Sequence, residues 1–171
     1  MAQFSVRLYA TGALAEAIAD YRDQVSHALG KPVELPYCPL TNDFPGQDDT
    51  TTYVRHLDDA IVAAPQIETA VVEIVEPHYS PPQHELELSS DWTQQVMARF
   101  KKQLQAVPVA LTLRNQLRLV LASPADEAQH EVLLPLSEAL DWSVRAGWDM
   151  KLYQCLEDDW VVEGTWPIQQ P

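Results

Sequence analysis

Apolar residues recur along the chain with two spacings, and each spacing predicts a different element. In FSVRLYA (4–10) apolar and polar residues alternate, which predicts a strand with Arg7 and Tyr9 on its polar face. Helical spacing follows, at Leu14, Ile18, Tyr21, Val25 and Leu29. Gly30 and then Pro32 predict the end of that helix.

The same two patterns continue to the end of the chain. Alternating or β-branched runs predict strands at 33–42, 68–76, 84–90, 111–123, 148–156 and 160–168. Helical spacing predicts three further helices, with apolar faces at Tyr53, Leu57, Ile61 and Ala64, at Trp92, Val96, Phe100 and Leu104, and at Leu133, Leu136 and Leu140. Between these elements, 43–49 is predicted to be a loop and 77–83 a turn-rich connection.

Helix starts are predicted from capping residues. Asp91, with Gln94 three residues later, has the outline of a capping box. Ser123 is a candidate cap for the last helix, with Pro124 at its first position. Pro135 lies inside that helix and predicts a kink.

The order of elements is β-α-β-α-β followed by β-α-β-α-β-β, so the two halves have nearly the same order of strands and helices. We therefore predict an α+β fold, with residues 1–171 forming a single domain of two related lobes. Its sheets are expected to be antiparallel and pseudo-symmetric, with helices packed on their outer faces and a central cleft between the lobes. A ligand would bind in that cleft.

The net charge limits the kinds of partner that we expect the protein to bind. The chain has 171 residues and a formal charge of −14, with acids spread along its length. Such a field repels phosphate backbones, so we expect no extended nucleic-acid partner, although a small basic pocket stays possible. Cys38 and Cys155 lie far apart without metal-ligand spacing, as in reduced cytosolic proteins. No apolar run suits a signal peptide or a membrane span, so we expect a cytoplasmic protein with no membrane partner.

Once each strand turns its apolar face to the helices, a small set of side chains is left for the cleft. These are Arg7 and Tyr9, then Tyr37, Pro39 and Thr41, then Arg118 and Val120. Of these, Arg7, Tyr37, Thr41 and Arg118 are the candidate ligand contacts. Cys38 is expected to point the other way, into the core, as a small hydrophobe.

The frame around these residues resembles the 2H phosphoesterase superfamily, which includes the 2′-5′ RNA ligases and cyclic nucleotide phosphodiesterases. The opening FSVRLY, the HELELSSDW segment and the C-terminal GWDMKLYQCLEDDWVVEGTWPI carry the resemblance over nearly the whole chain. In that family each lobe presents a His-x-Thr/Ser motif on a central strand. The two motifs would fall at Tyr37-Cys38-Pro39 and at Arg118-Leu119-Val120.

Both motifs lack the groups that the family's chemistry needs. The family's two histidines act as general base and general acid, and its hydroxyls hold the phosphate. Tyr37 has an intrinsic pKa of about 10 and Arg118 one above about 12, while Pro39 and Val120 carry no hydroxyl. Each lost acid or base costs roughly a hundred- to ten-thousand-fold in rate. The resemblance therefore implies a catalytically inactive member that binds a ligand or a protein partner.

Alternatives stay open at several positions. Arg118 is either an anion clamp or one side of a salt bridge, and Tyr37 either a ligand contact or packing in place of a histidine. The second hypothesis is an RNA or nucleotide cyclic phosphodiesterase or a 2′-5′ RNA ligase-like enzyme, which would use Tyr37 as acid or base and Arg118 to stabilise charge. We expect no cofactor and no metal, because the spacing of His78 and His84, with Glu76 and Glu85 beside them, matches no recognised site. The expected partner is a small anionic or phosphate ligand, or a protein.

Overall fold

The fold is given by a computed structural model that describes residues 2–46, 49–65, 71–104 and 110–168. The strands within these ranges are β1 (Gln3–Thr11), β2 (Cys38–Pro39), β3 (Phe44–Pro45), β4 (Glu73–Ser80), β5 (Gln83–Ser89), β6 (Leu117–Ala122), β7 (Gly147–Leu156) and β8 (Asp159–Ile168). The helices are α1 (Ala13–Leu29), α2 (Thr50–Val62), α3 (Asp91–Leu104) and α4 (Glu127–Ala139).

The strands form two antiparallel sheets. The first has five strands in the order β2-β1-β7-β8, with β3 also paired to β1. The second has three, in the order β4-β5-β6. The predicted α+β class with antiparallel sheets is confirmed. The first sheet combines strands from both ends of the chain, and the pseudo-symmetric pair of lobes stays a prediction.

The predicted apolar faces form one core. Along α1, the residues Leu14, Ile18, Tyr21 and Val25 are buried, and Tyr53 and Leu57 of α2 and Phe100 of α3 are fully buried. The end of α1 is also confirmed, because Gly30 has a left-handed φ of 64° and donates its N–H to the carbonyl of His27. Glycine adopts this conformation without the strain that a Cβ would add.

Two predicted helix caps are wrong by one and by three residues. The cap of α3 is Ser90, whose Oγ accepts from the Thr93 N–H at 3.2 Å, and Asp91 is already helical. The cap of α4 is Asp126, which accepts from the Gln129 N–H at 2.8 Å. The Gln129 side chain in turn accepts from the N–H of Ala125, the residue before the cap, so a second backbone amide at the start of α4 is satisfied.

Three stretches differ from the predicted strands and loops. The predicted connection at 77–83 is strand up to Ser80, and β4 and β5 form a hairpin that turns at 81–82. Phe44 and Pro45, predicted to be loop, pair with β1. The long runs 33–42 and 111–123 contain only the shorter strands β2 and β6, and residues 68–70 of the strand predicted at 68–76 lie outside the described residues.

Candidate functional site

A short segment, residues 37–42, joins the two sheets. On one side β2 pairs with β1, where Arg7 lies opposite Pro39. On the other side, the Tyr37 carbonyl accepts a hydrogen bond from the Val120 N–H of β6 at 3.4 Å. Thr41 forms a further bridge with Leu113. The two motif segments, 37–39 and 118–120, are therefore neighbours although they are far apart in the sequence.

Two adjoining hollows open around these motif positions. The polar hollow has a volume of about 560 Å³, and five of its lining residues are not shared with the other hollow: Glu85, Arg114, Asn115, Gln116 and Arg118. Pro39, Gln83 and Val120 line both hollows. The apolar hollow, of about 490 Å³, lies between α1, residues 31–37 and residues 120–123. We call the two together the groove.

Arg118 reaches the polar hollow with its charge already paired. Its Nη1 forms an ion pair with Glu85 of the neighbouring strand β5, and its Nε and Nη2 donate to Gln116 Oε1 at 3.3 and 3.1 Å. The Glu85 side chain is only 11% exposed. The salt bridge expected as one alternative is therefore present, and it lies within one sheet.

Arg114 also lines the polar hollow, and the sequence prediction missed it. Its side chain is exposed, and no hydrogen bond or ion pair of its guanidinium occurs among the described residues. Its backbone N–H donates to the Leu40 carbonyl at 3.1 Å, which holds the residue beside the groove. The run LRNQLR, with two arginines and two amides in a very acidic chain, was the available signal.

Tyr37 and Arg7 meet outside the polar hollow, in an aromatic cluster. The Arg7 guanidinium carbon lies 4.5 Å from the centre of the Tyr37 ring and 4.7 Å from those of Tyr153 and Trp160. Arg7 is 7% exposed and lines neither hollow. Its cation is held by ring faces supplied by the last hairpin. The sequence placed Arg7 on the correct strand face without identifying these partners.

The side chain of Thr41 is buried and hydrogen-bonded to the backbone of β1. It is 1% exposed, and its Oγ1 accepts from the Val6 N–H at 3.0 Å. The hydroxyl thereby takes the place of a backbone carbonyl beside β1. Thr41 lines neither of the two hollows, so the structure does not bring it together with Arg118.

Tyr37, the residue considered above as an acid or base, is poorly suited to move a proton near neutrality. Burial raises the pKa of Tyr37, and the positive charge of Arg7 only partly offsets that effect. Burial raises the pKa of the adjacent Cys38 thiol to about 12, and that side chain faces the core as expected. No histidine is among the residues that line the two hollows.

Two of the histidines belong to a buried network elsewhere. His84 Nδ1 lies 2.6 Å from Ser137 Oγ, and His84 Nε2 lies 2.8 Å from His130 Nδ1. Ser137 also contacts the Tyr21 hydroxyl at 2.8 Å. The network ties α1 and α4 to the second sheet. Neither contact of His84 is visible in the local sequence, because its partners lie 46 and 53 residues away along the chain.

Comparison of the chain with protein-family models, curated proteins and solved structures found no match. The resemblance to the 2H phosphoesterases therefore rests on the sequence frame and stays a prediction. Within the described residues, no helix combines the length and apolar character that crossing a membrane requires.

Proposed function

We propose that the protein is a non-catalytic binding module of the 2H phosphoesterase type, which holds a small anionic ligand in the groove. The observation that carries this proposal is Arg114. Its guanidinium has no ion pair with any described residue and borders a hollow that Arg118 also lines, in a chain with 25 acids and only 11 lysines and arginines. A free cation that borders a concave surface is a natural contact for a phosphate or carboxylate.

The adjoining apolar hollow suggests what the rest of the ligand, beyond its anionic group, would be. The apolar hollow is walled by Leu29, Val33 and Leu35 and shares Val120 with the polar hollow. A ligand that spans both would have an anionic group and an apolar or aromatic body, and a mononucleotide has both. The amides of Gln83, Asn115 and Gln116 add polar groups to the lining of the polar hollow, and Gln83 also lines the apolar one.

Loss of catalysis is supported by the four motif positions. Arg118 is an ion-paired cation that cannot usefully release a proton, and the raised pKa of Tyr37 keeps its hydroxyl protonated near neutrality. Pro39 and Val120 offer no hydroxyl to a phosphate. The alternative, an enzyme with Tyr37 as acid or base and Arg118 stabilising charge, would have to form a tyrosinate that burial of Tyr37 disfavours.

The test is thermal stabilisation and calorimetry with inorganic phosphate, AMP and 2′,3′-cyclic AMP, alongside an assay for cyclic-phosphate hydrolysis. We expect at least one of these anions to bind, Arg114→Ala to weaken it about tenfold or more, and no hydrolysis. Arg55→Ala is the matched control, because Arg55 is exposed on α2 and lines neither hollow.

Two results would overturn the proposal. Binding that is unchanged in Arg114→Ala, or no binding of any of the three anions, removes the ligand site and leaves a protein-interaction role. Hydrolysis of the cyclic nucleotide that disappears in Tyr37→Phe would establish the enzyme instead.

A further inference from the structure

Three potential metal ligands meet on the open face of the three-stranded sheet. They are Glu76 and His78 of β4 and Glu87 of β5, and one donor atom from each lies within 4.8 Å of the other two. His78 Nε2 is 3.0 Å from Glu87 Oε2 and 3.4 Å from Glu76 Oε1. Each side chain is about one-third to three-fifths exposed, so an ion can reach the group from solvent.

Strand pairing explains why these residues meet. Glu76 and His78 are two apart on one strand and therefore share a face, and Glu87 lies directly opposite Glu76 in the register. His84 and Glu85, considered from the sequence as companions of His78, are not part of the group. His84 is fully buried with Ser137, and Glu85 is paired with Arg118.

The charges of this group are not balanced by the protein. Two carboxylates that face each other across a ladder repel, and such a pair is destabilising. Within the described residues, His78 is the ion-pairing partner of both Glu76 and Glu87. Arg118 lies opposite Glu87 across β6, but its guanidinium is engaged by Glu85 and Gln116. One imidazole therefore sits between two carboxylates.

We propose that Glu76, His78 and Glu87 bind a divalent zinc ion. At bond lengths of about 2.0–2.2 Å, tetrahedral ligands lie about 3.4 Å apart, close to the two distances from His78 Nε2. One imidazole with two carboxylates is a donor set that suits zinc better than calcium or magnesium, which prefer oxygen ligands alone. Three protein ligands leave the fourth position open to water or to an anion. The inference does not depend on the proposed ligand in the groove.

Calorimetric titration with zinc chloride, in a buffer that does not bind metals, tests the site. The Cys155→Ser variant serves as the background, because Cys155 is a partly exposed free thiol that could bind zinc itself. We expect one equivalent of zinc to bind, and His78→Ala and Glu87→Gln each to weaken binding at least about tenfold. His27→Ala is the matched control, because His27 is exposed near the end of α1.

Cobalt substitution supplies a second readout. A site with three protein ligands and one water should give the strong visible absorption of tetrahedral cobalt, and this absorption should be absent in His78→Ala. Far-ultraviolet circular dichroism checks that each variant is folded. No binding by the folded background protein, or equal binding in His78→Ala and His27→Ala, would overturn the proposal.

Discussion

The backbone N–H of Val120 donates to the carbonyl of Tyr37, and this contact brings the two motif segments together. It links β6 of the second sheet to the residue that precedes β2 of the first. Beside this contact, Tyr37 lines the apolar hollow and Arg118 lines the polar one, and Pro39 and Val120 line both. The groove is thus a consequence of contact between the sheets, and its cation chemistry comes mainly from β6 and the residues just before it.

The ion pair between Arg118 and Glu85 should contribute to stability. Arg118→Ala would leave a nearly buried carboxylate without its partner, so we expect the free energy of unfolding to fall by about 1–3 kcal/mol. Glu85→Gln should cost less, because its amide oxygen can still accept from Arg118. Urea unfolding of both single variants and the double variant measures the coupling, and additive effects would show that the pair does not contribute.

The aromatic cluster around Arg7 should prefer a guanidinium to an ammonium. In Arg7→Lys the planar group that stacks on Tyr37, Tyr153 and Trp160 is lost, and we expect a loss of about 1–2 kcal/mol. Tryptophan fluorescence during urea unfolding follows the change. Arg55→Lys is the exposed control and should stay within about 0.5 kcal/mol of the parent. Equal effects at the two positions would mean that the ring contacts add nothing.

Ser137 should be more important for stability than its small size suggests. Ser137→Ala removes the common partner of the Tyr21 hydroxyl and His84 Nδ1, which are both buried. We expect a loss of about 1–3 kcal/mol, since two polar groups lose a hydrogen bond at once. Tyr21→Phe removes only one of these contacts and should cost less. Chemical denaturation gives the ranking, and the reverse order would contradict this account of the network.

Stability should fall on acidification because of His84. Burial, and secondarily the neighbouring His130, lower the pKa of His84 from the usual 6.5. Well above pH 6.5 the imidazole is neutral in both the folded and the unfolded chain, so it adds no pH dependence to stability there. As the pH falls further, the unfolded chain binds a proton that the folded one excludes. Stability is then lost until the pH has passed through the lower, folded-state pKa.

The measurement compares the free energy of unfolding at two conditions, pH 7.5 and a pH below 6.5. Among the described residues, His84 contacts His130 of α4, the Ser137 hydroxyl and the Tyr79 ring, and Ser137 in turn contacts the Tyr21 hydroxyl. His130→Gln removes the neighbouring side chain that contributes to the lowered pKa of His84. We expect a smaller loss between the two conditions in His130→Gln than in the parent. A slope that does not change in His130→Gln or in His84→Gln would assign the acid sensitivity to the carboxylates.

Local patterns predicted the helices well. The positions of Leu14, Ile18, Tyr21 and Val25 were sufficient for α1, because a helix is built from contacts within a few residues of each other. Caps were less certain, since Ser90 and Asp91, or Ser123 and Asp126, are both chemically able to cap. The choice between them depends on the position and direction in which the chain leaves the preceding strand.

Strands were predicted less completely, because a strand exists only where it finds a partner. Phe44 reads as loop until it is placed beside Phe4 of β1, and the hairpin of β4 and β5 turns stretch 77–80 into strand. In the same way, Arg114 becomes a candidate ligand contact only because it borders the polar hollow. Two of the aromatic partners of Arg7, Tyr153 and Trp160, come from the far end of the chain.

The amino-acid sequence by itself determined the class of fold, the core faces of the helices, the inward direction of Cys38 and the residue types at 37, 39, 118 and 120, none of which is histidine, serine or threonine. Each of these depends on residue type and on short-range spacing. Tertiary structure alone decided that Arg118 is paired with Glu85, that Arg7 stacks in an aromatic cluster, and that Glu76, His78 and Glu87 meet. These depend on which strands pair and in what register, and pairing joins residues whose separation along the chain carries no information about their distance in space.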